Sequence, residues 1–154
     1  MFYKEQTKNL FALDDSWYLA HCISADFALG KGIAVEFNRR FGMRDKLNTT
    51  YPNYLIWYKN ISKFYRAGDC ILIDRVFNLV TKELYHEKPT YESIRNALIS
   101  MKKKLRYLPD KSVKIAMPTI GCGLDKLEWD KVSEIIKDVF EDTDAYILVC
   151  KGGK

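Results

Sequence analysis

Hydrophobic positions along the chain fall into short blocks whose period switches between that of a strand and that of a helix. Residues 19–23 are a compact apolar run ending at Ser24, which predicts a buried strand. A polar, glycine-bearing stretch over 24–32 predicts a loop. Ile33, Ala34, Phe37 and Phe41 then share one helical face, and Gly42 supplies a stop. Residues 43–53 predict a short helix and a turn at Pro52. Residues 54–58, 70–73 and 76–80 are β-rich runs separated by polar or Gly-Asp breaks, which predicts strands joined by two hairpin-like connections and a sheet that is not purely parallel. Thr90 reads as an N-cap, followed by Tyr91, Ile94, Leu98, Met101 and Leu105 at three- and four-residue spacing, an amphipathic helix. Pro109 and Asp110 mark a turn. Residues 113–117 form a strand stopped by Pro118, and the loop 119–125 leads into a helix with Trp129, Val132, Ile136 and Val139 inward. Residues 145–149 predict a closing strand. Strands alternating with helices imply a layered α/β domain, in which ligands sit beyond the carboxyl ends of the strands.

Length and composition narrow the class. The chain has 154 residues, enough to bury a core without disulfides or a structural metal, and 1–154 is expected to be a single domain. No apolar run approaches the roughly 18–20 residues that span a bilayer, and residues 1–6 have no signal-peptide character. A soluble, cytoplasmic monomer is expected. Cys22, Cys70, Cys122 and Cys150 are scattered with no Cys/His cluster, and His21 and His86 are far apart, so reduced thiols and no metal site are expected. The net charge of +5 favours an anionic ligand without specifying one. Lys102, Lys103 and Lys104 lie together on a predicted helix and read as a solvated face.

Two segments share the order strand, glycine loop, helix: 22–33, with Gly30 and Gly32, and 117–125, with Gly121 and Gly123. Glycine admits left-handed torsions and close approach of main-chain N–H groups to a ligand, and such donors at a helix N-terminus favour phosphate. Two such loops can hold a diphosphate between them; they can equally be tight turns and nothing more. Neither fits the P-loop or the dinucleotide fingerprint. Spacing alone therefore stops at an α/β domain with a candidate phosphate cradle.

At these loops the sequence resembles the macrodomain family, and within it the terminal ADP-ribose protein glycohydrolase branch. The resemblance rests on Leu19-Ala20-His21-Cys22-Ile23-Ser24, Gly32-Ile33-Ala34-Val35, Lys88-Pro89-Thr90-Tyr91-Glu92 and Ile120-Gly121-Cys122-Gly123-Leu124-Asp125. Shorter stretches around 79–82 and 139–144 extend it over nearly the whole chain. It implies a three-layer α/β/α fold with a mixed, mostly parallel sheet of about six strands, and an ADP-ribose cleft at one end of that sheet. It implies that Thr119, Ile120, Gly121, Cys122, Gly123 and Leu124 wrap the diphosphate, and that Ser24, Gly30, Gly32 and Ile33 close over the distal ribose. Asn9 and Leu10 stand where the family reads adenine. Here Lys8-Asn9-Leu10-Phe11 replaces the more usual Gly-Asp-Leu-Phe; an Asn oxygen still accepts a hydrogen bond, without charge assistance.

The resemblance also assigns the chemistry. In this branch a lysine attacks the anomeric carbon of the distal ribose, and an aspartate assists departure and resolves the adduct; Lys82 and Asp125 occupy those positions. A lysine is nucleophilic only as the neutral amine, and an aspartate beside the scissile bond can protonate a leaving carboxylate and later activate water. Read without the family, Lys82 beside Glu83 is an ordinary solvated pair, and Asp125 with Glu128 has capping-box spacing. An inward Glu83 would raise a neighbouring lysine's pKa. Cys122 has no histidine partner in sequence, and His21, inside an apolar strand, reads as a hydrogen-bonded core histidine. The implied activity is removal of ADP-ribose from acidic residues of proteins, from O-acyl-ADP-ribose or from modified nucleic acid, through a lysyl-ADP-ribose intermediate and with no cofactor. Two other activities compete: a phosphatase acting on ADP-ribose-1″-phosphate, and a non-catalytic ADP-ribose reader.

Overall fold

The computed structural model of the protein describes residues 1–64, 68–110 and 112–152. Its strands are β1 (Phe2–Lys8), β2 (Tyr18–Ser24), β3 (Asp69–Ile73), β4 (Val76–Lys82), β5 (Lys114–Met117) and β6 (Tyr146–Gly152). Its helices are α1 (Ile33–Phe41), α2 (Met43–Thr50), α3 (Tyr54–Phe64), α4 (Tyr91–Leu105) and α5 (Trp129–Phe140). The strands form one sheet in the order β1-β6-β5-β2-β4-β3. Only β3, joined to β4 by a tight hairpin, runs antiparallel. This is the mixed, mostly parallel six-stranded sheet of a three-layer fold that the family resemblance implies.

Each face of the sheet carries its own core. On one side α4 and α5 lay Ile94, Leu98, Met101, Val132, Ile136 and Phe140 against Phe77, Leu79, Ile115 and Ile147. On the other, α1, α2 and α3 lay Phe37, Met43, Leu47, Tyr54 and Tyr58 against Ile23, Ile71, Val80 and Leu148. With both faces covered, β4 is buried from Val76 to Thr81, the signature of a central parallel strand. Thr90 does cap α4: its hydroxyl accepts from Ser93 N at 3.0 Å while Ser93 Oγ accepts from Thr90 N at 3.0 Å. Gly42 ends α1 in the left-handed region, φ 60°.

Two expectations are corrected. Residues 54–58 belong to helix α3, so the sheet has one hairpin there, not two. The run Tyr-Leu-Ile-Trp-Tyr looks β-rich because aromatic and β-branched residues dominate it, but burial follows a four-residue step. Tyr54 and Tyr58 are buried while Ile56 and Trp57 between them are exposed. The inward pair is anchored by its hydroxyls: Tyr54 donates to the Asp69 carboxylate, and Tyr58 accepts from Gly68 N at 3.0 Å. Strand β1 is the second correction, since no strand is predicted there. It is an edge strand, pairing only with β6, and its alternation of half-buried and exposed residues covers too little apolar area to register as a run.

A buried polar pair lies within the α1–α2 layer. Asn78 donates through Nδ2 to Ile71 O at 3.1 Å and Val76 O at 3.3 Å, so its Oδ1 accepts from His21 Nε2 at 2.7 Å. The imidazole, fully buried, stacks on Phe37 with ring centroids 3.8 Å apart. Burial holds its pKa down to about 4, the Asn78 bond acting weakly the other way. His21 is therefore neutral in the fold but charges in the unfolded chain below its ordinary value of 6.5. Its contribution is whole above that pH and disappears as pH falls toward 4, on the order of 3 kcal/mol across the interval. Urea unfolding of wild type and His21→Gln from pH 7.5 to 4 should show wild type losing stability faster than the variant below pH 6.5. Parallel curves would refute the neutral, buried imidazole.

Candidate active site

Strands β2, β4 and β5 all end on the same side, and there the chain opens a cleft of about 1030 Å³, within reach of a nucleotide-sized ligand. Its walls are the loop and helix start at 28–34, the loop 118–126, the strand ends Ser24 and Lys82, and the turn carrying Tyr85, His86 and Lys88.

Lys82 closes β4 and Asp125 closes the second glycine loop. They are 43 residues apart in sequence, yet Lys82 Nζ lies 2.8 Å from Asp125 Oδ1, with the two side chains 15% and 17% exposed. The sheet arranges this contact. The pairing of β2 with β4 slips between Ile23 and Ser24, so that Ile23 faces Val80 but Ser24 faces Lys82. Thr81 is the extra residue of a bulge, a device that re-aims the side chain beside it. Glu83 does not intrude: its Oε1 accepts from Ser62 Oγ at 2.7 Å. Asp125 is not a helix cap either, because α5 begins at Trp129 behind an N-cap of Glu128 that makes no side-chain capping bond.

The two glycine loops face one another across the cleft. Gly32 is the N-cap of α1 with φ 62° and ψ −150°, torsions open only to glycine. It leaves the first turn of α1, at the cleft wall, with no side-chain cap on its N–H groups. In the second loop Gly121 has φ 74°, and a Cβ there would lie 3.2 Å from both Ile94 Cδ1 and Leu127 Cδ1. The exposed Leu124 reaches over from this loop, its Cδ1 standing 3.6 Å from where a Gly32 Cβ would be. The expected order strand, loop, helix holds strictly only for the first loop. The second passes through turns at 120–121 and 124–125 and reaches its helix at residue 129.

Of the residues expected to bind ligand, Ser24, Gly30, Gly32, Ile33, Thr119, Ile120, Gly121, Gly123 and Leu124 line the cleft, together with Lys82 and Asp125. Asn9, Leu10 and Cys122 do not. Asn9 caps the 3-10 turn Leu10–Ala12, its Oδ1 accepting from Phe11 N at 3.0 Å, and Leu10 is buried in the core. The Cys122 N–H bonds to Thr119 O at 3.2 Å and its thiol to Ile120 O at 3.3 Å, so both turn back into their own loop. Burial raises the Cys122 thiol pKa. It pushes the Cys22 thiol up to about 12, the Asp125 carboxylate adding to the effect and the Lys82 ammonium opposing it. Neither sulfur is a ready nucleophile at neutral pH.

Sequence reasoning missed several wall residues. Lys31, Arg44, Lys88 and Lys126 make the lining strongly cationic, with Asp125 its one carboxylate among the described residues. Lys88 was inside a recognised motif, and its Nζ donates to Leu124 O at 2.8 Å; Arg44, on α2, gave no signal. Among the described residues no cluster of His, Cys, Asp and Glu could hold a metal ion, and no helix is long and apolar enough to cross a membrane.

No family model matches the chain. The ADP-ribose glycohydrolase OARD1 of Bos taurus is 37% identical over 145 residues, 92% of this chain and 86% of that protein. The macrodomain of Thermus aquaticus DarG superposes with a TM-score of 0.72 at 22% identity, covering 97% of both chains. Thermosipho africanus DarTG, solved in complex with ADP-ribose, superposes with a TM-score of 0.60 at 16% identity over 89% of this chain and 38% of that one. Sequence relationship and sheet topology agree: the chain belongs to the macrodomain family, on the side of the ADP-ribose glycohydrolases.

Proposed function

We propose that the protein binds ADP-ribose and hydrolyses the bond between its distal ribose and an acidic residue, with O-acyl-ADP-ribose and modified nucleic acid as further substrates. One observation carries this reading: an amine and a carboxylate 2.8 Å apart, held by different elements, inside a cationic cleft between two glycine loops. The diphosphate would lie between the first turn of α1 and the loop 119–124, where main-chain donors and the surrounding lysines favour an anion. That orientation presents the distal ribose to Lys82 and Asp125.

In the first step the Lys82 Nζ gives a proton to Asp125 and attacks C1″. The bond from C1″ to the carboxylate oxygen breaks, and Asp125 returns the proton to the departing carboxylate. In the second step Asp125 accepts a proton from water, whose oxygen attacks C1″ and releases ADP-ribose while the lysyl C–N bond breaks; Asp125 then returns that proton to the freed Lys82 amine, restoring the starting pair. The Lys82–Asp125 contact supplies a proton acceptor at the nucleophile before substrate arrives, which an ADP-ribose reader does not need. We further read residues 1–154 as one macrodomain, acting as a monomer in a reducing cytoplasm. Four unpaired cysteines and a β1 edge carrying Lys4, Glu5 and Lys8, which discourages edge-to-edge pairing, support this.

Lys82→Ala should lose release of ADP-ribose from glutamate-modified protein by about a thousandfold or more while still binding ADP-ribose. Asp125→Ala should accumulate a covalent lysyl adduct, read as a mass increase on the peptide containing residue 82. Full activity of Lys82→Ala would end the nucleophile assignment. Tight ADP-ribose binding by a wild type that releases nothing would favour a reader, and release of phosphate alone from the 1″-phosphate compound a phosphatase. In calorimetry Gly32→Ala should weaken ADP-ribose binding at least about tenfold, because a Cβ forces φ away from 62°. Gly30→Ala, outside the left-handed region and with an added Cβ in ordinary contact with Ala28 O at 3.8 Å, should bind within about twofold, each tenfold being about 1.4 kcal/mol. Light scattering should give the monomer mass of 18.0 kDa; a dimer mass would overturn the monomer reading.

A further inference from the structure

Asp26 lies outside the cleft lining, yet its carboxylate touches both segments that enclose the catalytic pair. Oδ1 accepts from Ser24 Oγ at 2.5 Å and from Ala28 N at 3.2 Å, inside the loop that precedes α1. Oδ2 accepts from Tyr85 N at 3.0 Å, in the turn that follows β4. Main-chain bonds run alongside: Ala25 N donates to Lys82 O at 2.9 Å and Asp26 N to Glu83 O at 3.2 Å. The side chain therefore continues the β2–β4 pairing by one more rung after the ladder has ended at Ser24 and Lys82.

That rung is needed because the loop it holds is strained. Phe27 and Leu29 have φ of 54° and 43°, each a left-handed non-glycine residue costing on the order of 1 kcal/mol. The strain is offset from two directions. Arg44 on α2 donates to the carbonyls of Phe27 and Ala28 from the outer side. The buried Phe27 ring stacks on Tyr54 at 5.1 Å. Both contacts hold the loop to the helical layer. Asp26 alone among these side chains ties it to the strand end that carries Lys82.

We propose that Asp26 is a positioning residue for the hydrolysis, fixing the ribose-facing loop and the Lys82 strand end relative to one another; this rests on the functional reading above. A carboxylate suits the task because it accepts on both oxygens at once, three donors in all. Asn is its isostere but keeps only one acceptor oxygen. Turned toward Ser24 and Ala28 it retains two of the three bonds and sets its NH₂ against the Tyr85 N–H, so, with the main-chain bonds from Ala25 N and Asp26 N still in place, Asp26→Asn cuts the side-chain link to the turn after β4 and leaves the loop's own turn. Asp26→Ala removes both.

The test measures kcat and KM for release of ADP-ribose from glutamate-modified protein, the ADP-ribose Kd by calorimetry and the melting temperature, for wild type, Asp26→Asn, Asp26→Ala and Lys82→Ala. For Asp26→Asn a fall in kcat of about 10- to 100-fold is expected, the scale of a slight misplacement of reacting groups. Its Kd should stay within about threefold and its melting curve unchanged. Asp26→Ala should lose kcat and also weaken Kd. If Asp26→Asn keeps kcat within about twofold of wild type, or loses activity only in step with binding or folding, the positioning role is overturned. An inactive wild type would instead sink the functional reading, and an active wild type with an inactive Lys82→Ala keeps that reading whatever Asp26 does.

Discussion

A parallel ladder runs out of partners on one side of the sheet, and the Lys82–Asp125 contact stands where it does so. At the ends of β2, β4 and β5 the backbone must find hydrogen bonds in loops; the Lys82 carbonyl finds its donor in Ala25 N, where the first glycine loop begins, and the second glycine loop closes on itself through Leu127 N and Gly121 O. The bulge at Thr81 turns that boundary into a meeting point for an amine and a carboxylate. Without the slip between Ile23 and Ser24, the alternation of side chains along β4 would present its last residues with the opposite facing. Asp125 meets Lys82 from a loop whose path turns at Gly121, where a φ of 74° and the close approach of Ile94 and Leu127 disfavour a larger residue. The contact is thus a product of three local constraints, from a ladder, a bulge and a glycine.

The two cores explain why such a contact can be held only partly buried. Helices α4 and α5 pin one side of the sheet and α1 to α3 the other, so β4 is fixed along its length and only its last two residues, Thr81 and Lys82, line the cleft. The interior is close-packed and of low compressibility, so the sheet beneath the cleft is rigid. The loop before α1 is the place where that rigidity had to be built from side chains, since Phe27 and Leu29 adopt torsions that the chain would not choose.

Much of this was legible in the sequence, and the failures have physical causes. The stripe from Tyr91 to Leu105 and the cap at Thr90 follow from periodicity and a local hydrogen bond, which depend on neighbours in sequence. Residues 54–58 were misread because a five-residue aromatic window looks the same in either period, and only the distant partners Asp69 and Gly68 select the helix. Strand β1 escaped because an edge strand buries little. In the site, the two glycine loops stand out by composition, but the pairing of Lys82 with Asp125 does not: beside Glu83 and Glu128, both look like surface charges. The family resemblance singled them out, and the fold supplies the reason that the alternatives fail. Glu83 is engaged by Ser62, and α5 starts too late for Asp125 to cap it. Arg44 could not have been found at all, since its role comes from α2 packing under a loop 16 residues earlier.

A cleft this cationic creates a difficulty for its own chemistry. Lys31, Arg44, Lys88 and Lys126 favour an anionic ligand near the site, yet each is also a competing partner for Asp125, the single carboxylate of the lining among the described residues. Two of these cations have other acceptors. Lys88 is held on the Leu124 carbonyl, one residue from Asp125. Arg44 is held on the carbonyls of Phe27 and Ala28. A backbone carbonyl binds a cation without neutralising it, so these groups keep their attraction for a diphosphate while leaving Asp125 to Lys82. The positive charge of Lys88 and Arg44 and the Lys82–Asp125 pair thus draw on different acceptors within one groove.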